Sequence, residues 1–369
     1  MIQPGTPIDE LDTPCLLVDL DRMEANIRNW QAAIAATSAG LRPHVKTHKV
    51  PAIAQMQLAA GAVGITVAKV AEAEVFAAHG CRDIFVAYPV VGPAKWRRAA
   101  ELARECTLTI GVDSATGARG LSDAAVATGS TVRVCVEIDS GLNRSGVPPE
   151  RAASLCGLAM DLPGLTLDGI FTFRSVGYPG AGDRTAAEIG REEGELMVAL
   201  AGELRAQDIP IRTVSLGSTP TARYAAQVPG VTEVRPGTYV FGDDMTVAGG
   251  TMRAEEVALS ILCTVVSRPA ADKATIDGGS KTFSGDSAPE RHRLKGYARA
   301  IGMDIYVERM SEEHGVVHLG AGADPQVGDR IAFRPIHVCT TVNLSDELIG
   351  MRGGRVETVW PILARGKRT

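Results

Sequence analysis

The sequence is poor in aromatic residues and lacks the marks of a secreted or membrane protein. Its 369 residues include only seven Phe, six Tyr and three Trp, against 40 Gly. We see no signal-peptide pattern at the N-terminus and no apolar run of membrane-spanning length. A net charge of −5 without a dense Lys/Arg stripe argues against nucleic-acid or anionic-membrane partners. We therefore expect a globular protein with a small-molecule substrate.

The cysteines show no pairing pattern. They are odd in number, and no two of them form a Cys-x-x-Cys motif. This scatter favours a reduced, cytoplasmic compartment over a disulfide framework. The cysteines lie at positions 15, 81, 106, 135, 156, 263 and 339.

Up to about residue 245, short apolar or β-branched segments alternate with Ala- and Leu-rich segments of helical spacing. Eight strands alternating with eight helices predict parallel β/α units, and eight such units close a barrel. An open doubly wound sheet is the alternative, disfavoured because no Gly-x-Gly-x-x-Gly follows the first strand. The predicted strands cover 41–45, 64–67, 83–87, 107–112, 132–138, 166–172, 212–216 and 231–236. The predicted helices cover 22–38, 50–60, 70–79, 93–105, 116–128, 149–160, 185–206 and 219–227.

The pattern changes near residue 250 to strands joined by Gly/Asp turns, which predicts a separate β domain. Its strands are predicted over 253–268, 273–278, 298–308, 315–319, 329–335, 339–350 and 354–359. We expect residues 1–20 to supply one more strand to this domain, with 21–245 forming the barrel and 250–369 the β domain.

A basic motif, RPHVKTHK at 42–49, ends the first predicted barrel strand. In such barrels the carboxyl ends of the strands face the active site. A lysine whose pKa is lowered there can form a Schiff base with a carbonyl cofactor. Strand alternation would place His44 and Lys46 on one face. A solvated basic loop is the alternative interpretation.

Two Gly- and Thr-containing motifs follow the seventh and eighth predicted strands, GSTPT at 217–221 and RPGTY at 235–239. Loops at these places in barrels often bind phosphate. The first motif alone would equally fit a helix N-cap. Both loops together with a candidate Schiff-base lysine indicate pyridoxal phosphate.

Two further motifs carry candidate ligands. Arg144 lies on a Gly-flanked loop after the fifth predicted strand, where it could hydrogen-bond a phenolate oxygen of a cofactor, or could be an ordinary surface arginine. In a strand, residues i and i+2 point to the same side, so His337 and Cys339 could bind one divalent ion. Imidazole and thiolate favour zinc, with manganese and magnesium left open. A buried His and Cys without metal is the alternative.

These motifs, in this order, resemble the D-threonine aldolase and D-serine dehydratase family of pyridoxal enzymes, which have the alanine racemase architecture. The resemblance runs from about Asp12 to the C-terminus. It implies a barrel, a β domain completed by the first residues, and a homodimer. It also implies that Lys46 is the catalytic Schiff-base lysine and that Arg144 meets the cofactor. The implied phosphate ligands are Ser218, Thr219, Gly237, Thr238 and Tyr239, with His44 beside the cofactor and His337 and Cys339 holding the metal.

One segment departs from the family. Aldolase members commonly carry a histidine base after the sixth barrel strand, where this chain has FTFRSVGYPG at 171–180. We regard Arg174 and Tyr178 as candidates for a substrate loop, because an arginine fork suits a second carboxylate. The missing histidine and Cys339 favour a lyase that eliminates water from a D-3-hydroxy amino acid, giving a 2-oxo acid and ammonia. Retro-aldol cleavage, racemisation and non-catalytic cofactor binding remain the alternatives.

Overall fold

The computed structural model describes residues 2–287 and 294–369, and the chain divides into two compact units. The barrel unit consists of Asn29–Lys46, Pro51–Gly237 and Gly366–Thr369. The β unit consists of Met1–Arg28, Thr47–Val50 and Thr238–Arg365. Each unit is built around its own sheet.

The barrel unit contains eight parallel strands in the order β2-β9-β8-β7-β6-β5-β4-β3. The two ends of this order meet through a parallel bridge between His44 and Thr66. Around that bridge, Val63 N donates to Leu41 O at 2.9 Å and Thr66 N to Pro43 O at 2.8 Å. The ring is therefore closed, which confirms the expected (β/α)8 barrel. Its strands are β2 (Gly40–Leu41), β3 (Ile65–Val67), β4 (Asp83–Pro89), β5 (Thr107–Val112), β6 (Val132–Glu137), β7 (Leu165–Phe171), β8 (Thr213–Leu216) and β9 (Glu233–Val234).

Helices alternate with these strands, and local sequence signals set their ends. Ser114 begins α5 by accepting a hydrogen bond from Gly117 N, and Gly129 ends it at φ 62°. Thr185 and Glu188 form a capping box that begins α7. The helices are α1 (Leu20–Ala35), α2 (Pro51–Ala59), α3 (Val70–Ala78), α4 (Pro93–Leu102), α5 (Ala115–Thr128), α6 (Ala152–Asp161), α7 (Ala186–Arg205) and α8 (Ala222–Ala225).

A chain of polar side chains runs between the barrel strands. Arg42 donates to Asp83 at 2.6 Å and to Glu233 at 2.7 Å. Ser215 donates to the other oxygen of Glu233 at 2.7 Å and in turn receives a bond from Arg235. Within this network Arg42, Glu233 and Arg235 each have a partner of opposite sign or a hydroxyl, which satisfies groups that would be costly to bury alone.

The β unit contains a nine-stranded sheet in the order β11-β14-β13-β12-β15-β10-β1-β16-β17. β10 also pairs with β11, so the six strands from β11 to β10 close into a small antiparallel barrel. β1 continues the sheet, antiparallel to β10 and parallel to β16. The strands are β1 (Cys15–Asp19), β10 (Leu259–Ala270), β11 (Lys273–Ile276), β12 (Ala298–Ala300), β13 (Ile305–Met310), β14 (Gly315–Leu319), β15 (Arg330–Pro335), β16 (Glu347–Arg352) and β17 (Arg355–Pro361). In the part of this unit that the structure describes, the short helices are α9 (Asp244–Ala248), α10 (Ser280–Phe283) and α11 (Val338–Leu344).

The strand predicted over 339–350 is wrong in its first half, because α11 occupies Val338–Leu344 and β16 begins only at Glu347. The β-branched residues suggested a strand, but Thr340 and Thr341 turn their hydroxyls back to His337 O, at 3.2 and 3.1 Å. Asp243 accepts a bond from Val338 N at 3.2 Å and so satisfies the start of the helix.

Other predicted boundaries were also wrong. The strand over 298–308 is divided by a turn in which Gly302 has φ 78°. The strand over 253–268 begins at Leu259, because Arg253 and Glu256 cap a 3-10 turn before it. The first barrel strand ends before Val45–Thr47, which form a 3-10 turn, so strand alternation does not govern Lys46. The eighth strand and eighth helix are also shorter than predicted.

In residues 2–287 and 294–369, none of the helices combines the length and apolar character needed to span a bilayer.

Candidate active site

Lys46 lies in the 3-10 turn Val45–Thr47, just beyond the carboxyl end of β2. Its Nζ is 5.8 Å from the ring centroid of Phe173, which follows β7. The guanidinium carbon of Arg144 lies 4.8 Å from the same centroid. The structure thus brings two predicted residues from distant parts of the sequence to one aromatic ring.

His44 lies beside this lysine. Its backbone N–H donates to Pro236 O at 2.9 Å, which joins the end of β2 to the RPG segment after β9. Burial, together with the charges of Lys46 and Arg235, holds the pKa of His44 well below its usual range. The imidazole is therefore neutral, and its flat face is suited to contact an aromatic cofactor.

The loop that carries Arg144 is held by carboxylates. Asp139 accepts bonds from Gly141 N at 2.9 Å and Asn143 N at 3.0 Å. Ser145 donates to Glu137 Oε1 at 2.8 Å. Gly146 has φ 99°, and a Cβ there would lie 2.7 Å from Asp139 N, so only glycine fits. Arg144 itself is exposed, which leaves its guanidinium accessible to a ligand.

A cavity of about 560 Å³ lies at the carboxyl ends of the barrel strands. Cationic side chains in its lining outnumber carboxylates, and two phenylalanines supply an aromatic surface. This combination suits an anionic aromatic molecule such as pyridoxal phosphate. The residues that matter for the argument are Lys46, His44, Lys95, Asp113, Glu137, Arg144, Phe171, Phe173 and Arg235.

Sequence reasoning did not single out six of these residues, and Arg235, Glu137 and Phe173 are among the six. Arg235 is buried and donates to Thr172 O at 2.6 Å. The second carboxylate oxygen of Glu137 is buried without a hydrogen-bond partner, and burial raises the pKa of this residue. All three follow or end a barrel strand, and that position was the signal that could have identified them.

The predicted phosphate loop folds tightly after β8. Ser218 N donates to Thr221 Oγ1 at 2.9 Å, and Gly237 N donates to Thr219 Oγ1 at 3.2 Å. Gly217 has φ 85°, and a Cβ there would lie 3.1 Å from Ala222 Cα. The structure therefore brings Ser218, Thr219 and Gly237 together within the barrel unit.

Thr238 and Tyr239 follow Gly237 directly but belong to the β unit. They form a 3-10 turn with Val240, and the Tyr239 side chain is fully buried. Thr238 Oγ1 lies 3.9 Å from Cys339 Sγ, within the same unit.

His337 and Cys339 are grouped in the β unit, although not by strand alternation. His337 precedes α11 in an extended conformation, and Cys339 is in its first turn. Thr47 Oγ1 contacts Cys339 Sγ at 3.2 Å, and Asp286 Oδ2 lies 2.6 Å from His337 Nδ1. Burial lowers the pKa of His337, but the hydrogen bond to Cys339 and the charges of Cys339 and Asp243 outweigh this and raise it to about 9.

This arrangement provides part of a metal shell. A carboxylate on one imidazole nitrogen is the usual arrangement behind a metal-binding histidine, because it fixes the ring and its tautomer. Throughout residues 2–287 and 294–369, however, no three His, Cys, Asp or Glu side chains are grouped closely enough to hold an ion. Water or substrate would have to supply the remaining ligands of a metal at His337 and Cys339.

Arg174 and Tyr178 lie together but do not contribute to the lining of the cavity. The Arg174 guanidinium donates to Ser140 O at 2.9 Å and lies 4.6 Å from the Tyr178 ring. Both side chains are buried. The guanidinium that we considered for a substrate carboxylate is thus already bonded to the protein.

Comparison with known proteins identifies the family. Residues 18–245 match the alanine racemase N-terminal domain family, and residues 258–351 match a serine dehydratase domain. The chain belongs to the alanine racemase-like family. This confirms the resemblance drawn from the sequence motifs.

Within this family the chain is similar to a D-threonine aldolase of Arthrobacter, with 36% identity over 99% of this chain and 95% of the relative. It is also 36% identical to D-threo-3-hydroxyaspartate dehydratase of Delftia, over 90% of this chain and 92% of the relative. The crystal structure of D-threonine aldolase from Filomicrobium marinum superimposes with a TM-score of 0.91 at 31% identity, covering 100% of this chain and 99% of that one. This alanine racemase-like chain is accordingly a pyridoxal phosphate-dependent lyase.

Proposed function

We propose that this enzyme acts on a D-3-hydroxy amino acid and uses a divalent metal together with pyridoxal phosphate. The observation that carries the proposal is the convergence of Lys46 and Arg144 on Phe173 in a cavity rich in cations. The substrate class is supported by the names of relatives that are similar over nearly the whole chain.

The residues of the cavity have distinct roles in this proposal. Lys46 supplies the amine that binds the carbonyl of the cofactor and moves a proton at its Nζ. Arg144 donates to an anionic oxygen, and Ser218, Thr219 and Gly237 hold the phosphate. When bound, pyridoxal phosphate supplies an electron-withdrawing ring that weakens the bonds at the substrate Cα.

We further propose that His337 and Cys339 hold a divalent ion, with zinc favoured by the thiolate and imidazole donors. Such an ion supplies a Lewis acid for a hydroxyl oxygen. Asp286 orients His337 through its contact with Nδ1. A solved D-threo-3-hydroxyaspartate dehydratase with a cysteine replaced by alanine is described as being in the metal-free form, which supports metal dependence in a relative of this chain.

Elimination of water is the reaction that we favour. The segment 171–180 contains no histidine, although the family resemblance implies that aldolase members commonly carry a histidine base there, and Cys339 provides a thiol in the proposed metal pair. Retro-aldol cleavage is the second candidate, favoured by the similarity to two D-threonine aldolases.

The test is to incubate the protein with pyridoxal phosphate, Zn²⁺ or Mn²⁺ and D-threonine, and to identify the product. 2-Oxobutanoate with ammonia supports elimination, whereas glycine with acetaldehyde supports retro-aldol cleavage. Epimerised threonine would show a racemase and contradict the proposal. If no product forms with D-threonine, D-serine and D-3-hydroxyaspartate although the cofactor is bound, the proposed substrate class is wrong.

A further inference from the structure

Glu193 is a buried carboxylate for which the proposed reaction has no use. It lies on α7 with no exposed surface. Its Oε1 accepts a hydrogen bond from Arg174 N at 2.7 Å, and its Oε2 is buried without a hydrogen-bond partner. A buried carboxylate with an unsatisfied oxygen is costly, so this position calls for an explanation beyond packing.

The helix face that carries Glu193 is shaped for close approach to the phosphate loop. Gly190, Glu193 and Gly194 lie on one face of α7, at spacings of three and four residues. A Cβ on Gly190 would lie 2.7 Å from Thr221 O, and one on Gly194 would lie 2.8 Å from Val228 Cγ2. The two glycines therefore let α7 lie directly against the segment that begins with the loop after β8.

Glu193 acts on two loops at once. Arg174 N, which it binds, belongs to the segment after β7. The backbone of Gly217 also interacts with the carboxylate and lowers its pKa, and Gly217 begins the loop that carries Ser218 and Thr219. The charges of Arg174 and Arg235 offset part of the cost of burying this group.

We propose that Glu193 is a positioning residue for the cofactor phosphate, because it fixes from behind the backbone of the loop Gly217–Thr219 and of the segment beginning at Arg174. It touches neither cofactor nor substrate in this role. The inference rests on the proposed cofactor site and goes beyond it by naming the group that holds that site in shape.

The test compares the affinity of the apoenzyme for pyridoxal phosphate and for pyridoxal, which lacks the phosphate, by absorbance or fluorescence titration. Glu193→Ala should weaken pyridoxal phosphate binding by about tenfold, the value of a hydrogen bond to a charged group, and pyridoxal binding by much less. Glu193→Gln should stay within about threefold of wild type, because its amide oxygen still accepts from Arg174 N.

The matched control is Glu195→Ala, which removes an exposed glutamate two residues along the same helix and should change neither affinity. If Glu193→Ala does not fold, Glu193→Asp serves instead, since it keeps the charge but withdraws the acceptor by one methylene. It should weaken pyridoxal phosphate binding selectively, and the ³¹P resonance of the bound cofactor should shift or broaden.

Equal losses for the two ligands, or no loss in either variant, would overturn the positioning role. Failure of the proposed function looks different, because the wild-type protein itself would then not bind pyridoxal phosphate.

Discussion

The cavity of the barrel unit and the His337 group of the β unit have opposite electrostatic character. Lys46, Lys95, Arg144 and Arg235 outnumber two carboxylates in the cavity lining. His337, by contrast, is surrounded by a thiol and two carboxylates, which together raise its pKa to about 9 despite its burial. The first environment favours an anion and the second a cation. On the proposed function, the cavity would take the anionic cofactor and the His337 group the metal ion.

The largest effect is expected in the cavity of the barrel unit, from Lys46→Ala. Loss of the amine should abolish the visible absorbance of the bound cofactor and lower kcat by about a thousandfold or more, while the protein remains folded. Absorbance spectra and steady-state kinetics measure these two effects, and circular dichroism checks that the protein is folded. Lys95→Ala removes another lysine from the same lining and should keep the absorbance. A Lys46→Ala protein with an unchanged spectrum would show that another amine carries the cofactor.

In the His337 group, Cys339→Ala should remove a proposed metal ligand. We expect bound metal to fall well below one equivalent and activity to fall by about a hundredfold, with the spectrum of the cofactor retained. Elemental analysis after dialysis measures the first effect, and kinetics the second. Cys106→Ala, a half-buried cysteine of the barrel unit, is the matched control. Metal loss without activity loss would remove the metal from the mechanism.

A smaller effect should follow from Asp286→Asn, which weakens the carboxylate contact with His337 Nδ1. Partners of this kind typically change metal affinity by about 10- to 100-fold, and we expect a loss in that range, measured by competition with a chromophoric chelator. Asp272→Asn changes an exposed aspartate in the same unit and should leave affinity unaltered. Unchanged affinity in the Asp286 variant would mean that His337 is oriented by other contacts.

The last prediction concerns stability rather than activity, and it involves the buried carboxylate of Glu193 in the barrel unit. Burial raises the pKa of Glu193 from 4.5 to about 7, against the opposing effects of the Arg174 N–H and nearby arginine charges. Between pH 4.5 and 7 the folded chain therefore keeps a proton that the unfolded chain loses. The contribution of Glu193 to the free energy of unfolding is fully present below pH 4.5 and is lost as the pH rises through 7.

Relative to Glu193→Gln, the unfolding free energy of the wild type should fall by about 3 kcal/mol from pH 4.5 to pH 8. Urea unfolding at several pH values measures the difference. Parallel curves for the two proteins would show that the carboxylate is not protonated in the folded state.

The sequence was most informative where chemistry and periodicity coincide. The barrel was predictable because each parallel strand is a short apolar run followed by a helical segment with clear caps, such as Ser114 and Thr185. Lys46 and Arg144 were candidates because each follows a predicted barrel strand, and the carboxyl ends of barrel strands face the active site.

The rest depends on contacts between residues far apart in the chain. The sequence HVCTTVNL has the composition of a strand, yet it forms a helix whose first N–H donates to Asp243, while the hydroxyls of Thr340 and Thr341 donate to His337 O. Similarly, Glu193 lies in a helix that reads as an ordinary amphipathic segment, and only packing shows that its carboxylate is buried. Such effects of tertiary structure override local preference and leave no local pattern.

The bridge between His44 and Thr66 is the place where the barrel ring closes. On its other side β2 pairs with β9 between residues 40 and 233, the longest sequence separation in the ring, so the loop-closure entropy of that pairing is large. Pairings of such long range slow folding, because the loop-closure entropy must be offset before the contacts contribute. Lys46 follows His44 by two residues, so both pairings of β2 help to set the position of its amine. If Lys46 binds the cofactor as we propose, the affinity for the cofactor reports whether this junction is formed.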